Sequence, residues 1–169
     1  MKSTTALYKL QFTESKTYLW ASAFVMGNIL LPQLCHLIPQ GGFIFLPIYF
    51  FTLIGAWKFG WRVGLLTAVF SPLVNSALFG MPMPAVVPII LVKSVLLALA
   101  AAFVAGRTRQ ATLPLILAVV AFYQIVGGLA EWMMTGSLAA AMQDIRIGMP
   151  GIVLQIVGCW FILNKLFRK

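Results

Sequence analysis

Charge is scarce in this chain, and negative charge scarcer still. Of 169 residues 9% are charged, with three acids, Glu14, Glu131 and Asp144, against twelve lysines and arginines. A soluble domain carries roughly a quarter charged residues to cover its surface. Surface chemistry of that kind is missing, so an integral membrane protein is expected. The chain has one histidine, His36, and two cysteines, Cys35 and Cys159. Those counts cannot assemble the usual zinc, iron–sulfur or metal-hydrolase ligand sets. There is no Gly-x-x-x-x-Gly-Lys-Ser/Thr run to cradle a nucleotide phosphate, and nothing resembles a serine or cysteine triad. The sequence therefore points away from an enzyme and implies no cofactor. No basic tract interleaves with aromatics, so nucleic acid is not an expected partner and membrane lipid is. Cys35 falls near one end of its apolar run and Cys159 toward the middle of another. Cα atoms so placed are not expected to come within the roughly 7 Å that a disulfide allows, so both read as free thiols.

What is abundant is apolar sequence. Hydrophobic residues make up 62% of the chain, and they recur in runs near the twenty residues that a helix needs to cross a bilayer. We expect an all-α fold of six spans, near residues 17–36, 43–57, 62–79, 85–105, 113–134 and 149–163. Residues 1–16 precede them as a cytoplasmic or interfacial segment, and 17–169 form a single six-helix transmembrane domain. Leu7, Tyr8, Leu10 and Phe12 among Lys2, Lys9, Glu14 and Lys16 would suit a short interfacial helix, with a polar tail as the alternative. No small-residue cleavage site follows the first run, which reads as a retained span. Pro47 and Pro72 lie inside spans two and three. Each removes a backbone hydrogen bond that a neighbour must replace, a feature of helices that line cavities.

Six spans place both termini on one side. On that side fall Lys2, Lys9, Lys16, Lys58, Arg62, Arg107, Arg109, Lys165, Arg168 and Lys169; Arg146 alone falls on the other, and Lys93 lies within a span. Basic loops stay in the cytoplasm, so both termini are expected there. No internal duplication is visible, which argues against an inverted-repeat carrier.

Polar residues inside apolar helices are costly and usually face the bundle interior. Counted from the outer surface at about 1.5 Å per residue, Asn28, Lys93, Gln124 and Gln155 share a depth of roughly 10–15 Å in spans one, four, five and six. Gln33, His36, Asn75, Glu131 and Trp132 lie above them. The set is expected to line a polar cavity open to the outside, with Gly127, Gly128, Gly151 and Gly158 leaving room. Lys93 and Glu131 read as an ion pair at that cavity, neutral if paired; an unpaired Lys93 would hold a ligand carboxylate or phosphate. Trp132, Tyr123 and Phe122 are candidates to stack on a planar ring, or to anchor the interface. Cys35 and His36 are candidate soft ligands for a metal-containing guest. The bend at Ser71-Pro72, Asn75 and the Met81–Pro84 loop are expected at the mouth as wall or lid. Gly60, Gly64 and Ala68 repeat at helical spacing, as do Ala23 and Gly27. The first set reads as bundle packing; the second fits either packing or contact with a partner subunit.

The layout of six short spans, the Ala23-x-x-x-Gly27 pair and the run from Gly60-Trp61-Arg62-Val63-Gly64 through Ser71-Pro72-Leu73-Val74-Asn75 to Gly80-Met81-Pro82 resemble the S-components of energy-coupling factor (ECF) transporters. The resemblance implies a specificity subunit in a prokaryotic plasma membrane. It would capture a vitamin or related micronutrient at the outer face and topple in the bilayer to release it. A coupling membrane subunit and two ABC-type ATPases would supply the energy, with Ala23 and Gly27 standing where the family has an Ala-x-x-x-Ala coupling contact. A small membrane enzyme or an assembly subunit is the competing reading from the residues.

Overall fold

The structure, a computed structural model, describes residues 9–166. Among them there is no strand. The helices are α1 (Ser15–Cys35), α2 (Gly41–Phe45), α3 (Phe50–Phe59), α4 (Trp61–Phe79), α5 (Val87–Thr108), α6 (Leu113–Thr135), α7 (Leu138–Ala141), α8 (Gln143–Arg146) and α9 (Met149–Phe161). A 3₁₀ turn (Pro47–Tyr49) leads into α3, and a π-type turn (Ile162–Leu166) continues α9. Helices α1, α4, α5 and α6 are each long and apolar enough to cross a membrane, and α9 with its continuation is a shorter apolar helix. The chain is an all-helical, multi-pass membrane protein. Exposed apolar side chains form stripes on these helices, such as Met26, Leu30 and Leu34 on α1 and Ile125, Leu129 and Met133 on α6. In water such stripes would be a liability; in a bilayer they are the solvent-facing surface.

At the centre lies α3. Nearly all of its residues are buried, from Thr52 to Phe59 without a gap, and it packs against α1, α4, α5 and α9. Apart from Thr52 and Lys58 its side chains are apolar on every face, the pattern of a helix that belongs inside. The close approach of α4 depends on Gly64: a Cβ there would sit 2.4 Å from the Ala56 Cβ. The expected packing role of the Gly64–Ala68 face is thus realised against α3. Gly60 stands at the α3–α4 joint with φ 92°, a conformation that favours glycine.

The expected span at 43–57 is not one helix. Pro47 disfavours the right-handed helical conformation for the residue before it, and Leu46 takes φ 46° and ψ 46°. The chain therefore turns at Leu46, splitting the segment into α2 and α3. Pro72, by contrast, is carried inside an unbroken α4. Residues 9–14 are not helical; Leu7 and Tyr8, the rest of the expected interfacial helix, lie outside the described residues. This segment is docked: Arg62 Nη1 donates to the Leu10 carbonyl at 3.2 Å, and Phe12 meets the Trp61 ring edge-on at 5.5 Å. Asn164 Nδ2 donates to the Ala111 carbonyl at 2.7 Å, joining the end of α9 to the α5–α6 connection.

Candidate functional site

At the far end of the bundle from Arg62 and Arg107, three helices converge on Lys93. It lies in the second turn of α5, and its Nζ is 2.5 Å from Glu131 Oε2 on α6 and 2.8 Å from Asp144 Oδ2 on α8. The side chain of Lys93 is 3% exposed, those of Glu131 and Asp144 13% and 15%. The expected Lys93–Glu131 pair is present, but the site is not neutral. One ammonium faces two carboxylates, leaving a local surplus of one negative charge. Helices α7 and α8 supply Asp144 from the connection between α6 and α9, which the sequence presents only as a polar loop.

Gly127 explains how a lysine enters so crowded a position. A Cβ on Gly127 would lie 2.7 Å from Lys93 Cγ. The missing side chain on α6 is thus the channel for the lysine's stem, one turn below Glu131 on the same face. Two of the other glycines expected to leave room, Gly151 and Gly158, are likewise met by the chain itself, whereas Gly128 has only an ordinary contact at 3.5 Å. A Cβ on Gly151 would strike the Phe45 carbonyl at 2.4 Å, and one on Gly158 the Phe50 ring at 2.9 Å.

The remaining polar residues, expected at one depth, separate into two closed networks. In the first, Asn28 on α1 donates from Nδ2 to Thr52 Oγ1 (3.1 Å) on α3 and to Ser71 Oγ (3.0 Å) on α4, and its Oδ1 accepts the Phe51 N–H at 3.2 Å. Asn75 Nδ2 donates to the carbonyls of Asn28 and Ser71, both at 2.9 Å, while its Oδ1 is buried without a partner. In the second, Tyr123 donates its hydroxyl to Gln155 Oε1 at 2.9 Å and accepts from Gln124 Nε2 at 3.1 Å. Gln155 Nε2 donates in turn to the carbonyl of Leu46 at 3.4 Å. The turn at Leu46 thereby presents an acceptor to α9. Tyr123 also packs its ring 5.4 Å from Tyr49, so it is fully engaged within the protein.

Other candidates lie outside these networks. His36, exposed at the end of α1, rests against Gly42, where a Cβ would come 2.9 Å from its Nε2. Cys35 is half-buried, and Cys159 is buried with its Sγ 3.7 Å from the Phe50 carbonyl; both are free thiols. No cluster of three His, Cys, Asp or Glu occurs among the described residues. Trp132 is 46% exposed, Phe122 is exposed ten residues earlier on α6, and Met81 and Met83 are exposed in the loop after α4. The Ala23–Gly27 pair is divided: Ala23 is exposed, whereas a Cβ on Gly27 would lie 2.8 Å from the Phe51 ring. One cleft opens at the basic end and another beside Gln143 and Arg146. Neither is lined by Lys93, Gln124, Gln155, Asn28 or Asn75. The second is lined in part by Gln143 and Arg146 of α8, the helix that carries Asp144.

Asp144 is the residue that sequence reasoning missed. The available signal was scarcity, since in a chain with three acids each one needs a partner assigned. Compared with protein-family models, characterised proteins and solved structures, the chain finds no match.

Proposed function

We propose that this chain is the substrate-binding S-component of an ECF-type importer. It captures a small water-soluble vitamin or related micronutrient at the outer face and passes it inward with a coupling membrane subunit and ABC-type ATPases. The bundle crosses a prokaryotic plasma membrane six times, the α2–α3 unit and α9 with its continuation completing the four long helices. The ten-to-one distribution of basic residues sets both termini in the cytoplasm.

The observation that carries this reading is Lys93 held between Glu131 and Asp144 beneath a short helical cover. A buried ionic cluster is expensive in a membrane and marks a functional position. Here one of its members comes from α8, a four-residue helix with no buried residue of its own. Such a segment can withdraw at modest cost, exposing two carboxylates and an ammonium to a guest. The surplus of one negative charge favours a ligand that brings hydrogen-bond donors or positive charge. Gln124 and Gln155, in the network behind Leu46, set the position of α9 beneath that cover.

The test is native mass spectrometry of the purified protein. A stoichiometric small molecule that co-purifies with wild type and is lost from Lys93→Ala and Gln124→Ala supports the reading. Unchanged retention in both variants overturns the site. Product formed from a lipid or isoprenoid by the protein alone would instead make it a membrane enzyme.

A further inference from the structure

A cleft of about 750 Å³ opens at the basic end, between the N-terminal segment, the α3–α4 joint and the last turns of α5. That volume is in the range of small-molecule sites. Lys9, Arg62 and Arg107 line it, and no carboxylate among the described residues does. Both guanidinium groups are held by aromatic faces: Arg62 lies 4.8 Å from the Trp61 ring centre and 5.6 Å from that of Phe12, and Arg107 lies 5.5 Å from that of Phe103. Neither arginine forms an ion pair among the described residues. Their charge is positioned but not neutralised.

A further feature defines what would fit. Leu99, Phe103 and Arg107 follow at i, i+4 and i+8 on one face of α5. The cleft includes all three, and Leu99 and Phe103 are otherwise exposed on the bundle's apolar surface. The track thus runs from cationic at the end of the helix to apolar toward its middle. A fully water-soluble anion would satisfy the first part and leave the second bare.

We propose that this cleft binds an anionic phospholipid. The headgroup phosphate meets Arg62 and Arg107, and the start of an acyl chain lies along Phe103 and Leu99. The lipid would tie the N-terminal segment, the α3–α4 joint and α5 together at the headgroup layer. Each basic side chain at an anionic lipid surface contributes about fivefold in affinity.

Delipidated full-length protein in neutral detergent, titrated with phosphatidylglycerol or phosphatidylcholine under native mass spectrometry, tests this. Wild type is expected to retain phosphatidylglycerol and release phosphatidylcholine, with Arg107→Gln and Arg62→Gln each weakening retention about fivefold. Arg62→Gln also removes the bond to Leu10, so Arg107→Gln, whose side chain makes no hydrogen bond among the described residues, is decisive. Equal binding of both lipids, or undiminished phosphatidylglycerol binding by Arg107→Gln, overturns the proposal. So does displacement of the lipid by equimolar inorganic phosphate, which would assign the cleft to a free anion, or by polyglutamate, which would assign it to an acidic protein segment.

Discussion

Asp144, on a four-residue helix, places its Oδ2 2.8 Å from the Nζ of Lys93, which lies 51 residues earlier on α5. The contact joins the cover of the bundle to its interior. Removing Lys93 would leave two carboxylates facing one another with no counter-charge. Lys93→Ala is therefore expected to destabilise the protein by about 3 kcal/mol, seen as a lower unfolding temperature in detergent. Glu131→Gln and Asp144→Asn should each cost less, because Lys93 keeps one charged partner. Adding both to Lys93→Ala should recover much of the loss; an additive or worse triple variant would contradict this account.

Gly127 and Gly128 are adjacent, yet they predict opposite results. Alanine at 127 meets Lys93 Cγ at 2.7 Å, whereas alanine at 128 meets only the Ala141 carbonyl at an ordinary 3.5 Å. Gly127→Ala should displace the lysine stem, lowering stability by about 1–3 kcal/mol and weakening ligand retention with it. Gly128→Ala should match wild type in both measurements. Equal behaviour of the two variants would show that the stem does not depend on that gap.

Asn28 joins α1, α3 and α4 through three hydrogen bonds. Asn28→Ala is expected to cost about 1–3 kcal/mol, the range spanned by interhelical bonds in membranes and by stranded polar groups. Amide exchange should rise at Phe51, whose N–H loses its acceptor. Ligand retention should be unaffected once the protein is cooled below its unfolding transition. A selective loss of ligand with stability intact would instead move Asn28 into the binding site.

Helix α4 should be intolerant where it crosses α3. Gly64→Ala places a methyl 2.4 Å from the Ala56 Cβ and 2.8 Å from its Cα, so two backbones must separate, at a cost of about 1–3 kcal/mol or more. Gly106, in α5, has nothing within 4 Å of an added Cβ. Gly106→Ala should be neutral or stabilising by up to about 1 kcal/mol. Thermal unfolding of the pair separates close packing from a general sensitivity to lost glycine.

Orientation is accessible to thiol labelling. In a Cys35→Ser/Cys159→Ala background, Met83→Cys is expected to react with an impermeant maleimide added to intact cells, because Met83 is 64% exposed beyond the end of α4. Arg109→Cys, in the connection after α5, should react only after permeabilisation. The reverse pattern would invert the bundle and place the Lys93 cluster inside.

How much of the site could be read in advance differs residue by residue. Lys93 and Glu131 were legible because a charge inside an apolar run is conspicuous and needs a partner. Asp144 was not, because no periodicity links a loop acid to a lysine 51 positions away. The burial of Asn28, Gln124 and Gln155 was also legible, since polar side chains in apolar helices turn toward the bundle interior. Their grouping was not. Depth says nothing about rotation of one helix against another, and rotation put Asn28 with Thr52 and Ser71 but Gln155 with Tyr123. The hydrogen-bond partners of those residues were hidden for the same reason.

By itself, then, the sequence determined the class of protein, the long apolar helices and the clustering of basic residues. These follow from composition and from the length of an apolar run, which are local properties. Only the tertiary structure decided that the ten-residue α3 is the buried centre, that Gly127 admits the Lys93 stem, and that α8 delivers a second carboxylate to Lys93. Each of these depends on which faces meet and how closely, and close packing between separate helices is set by the whole bundle at once.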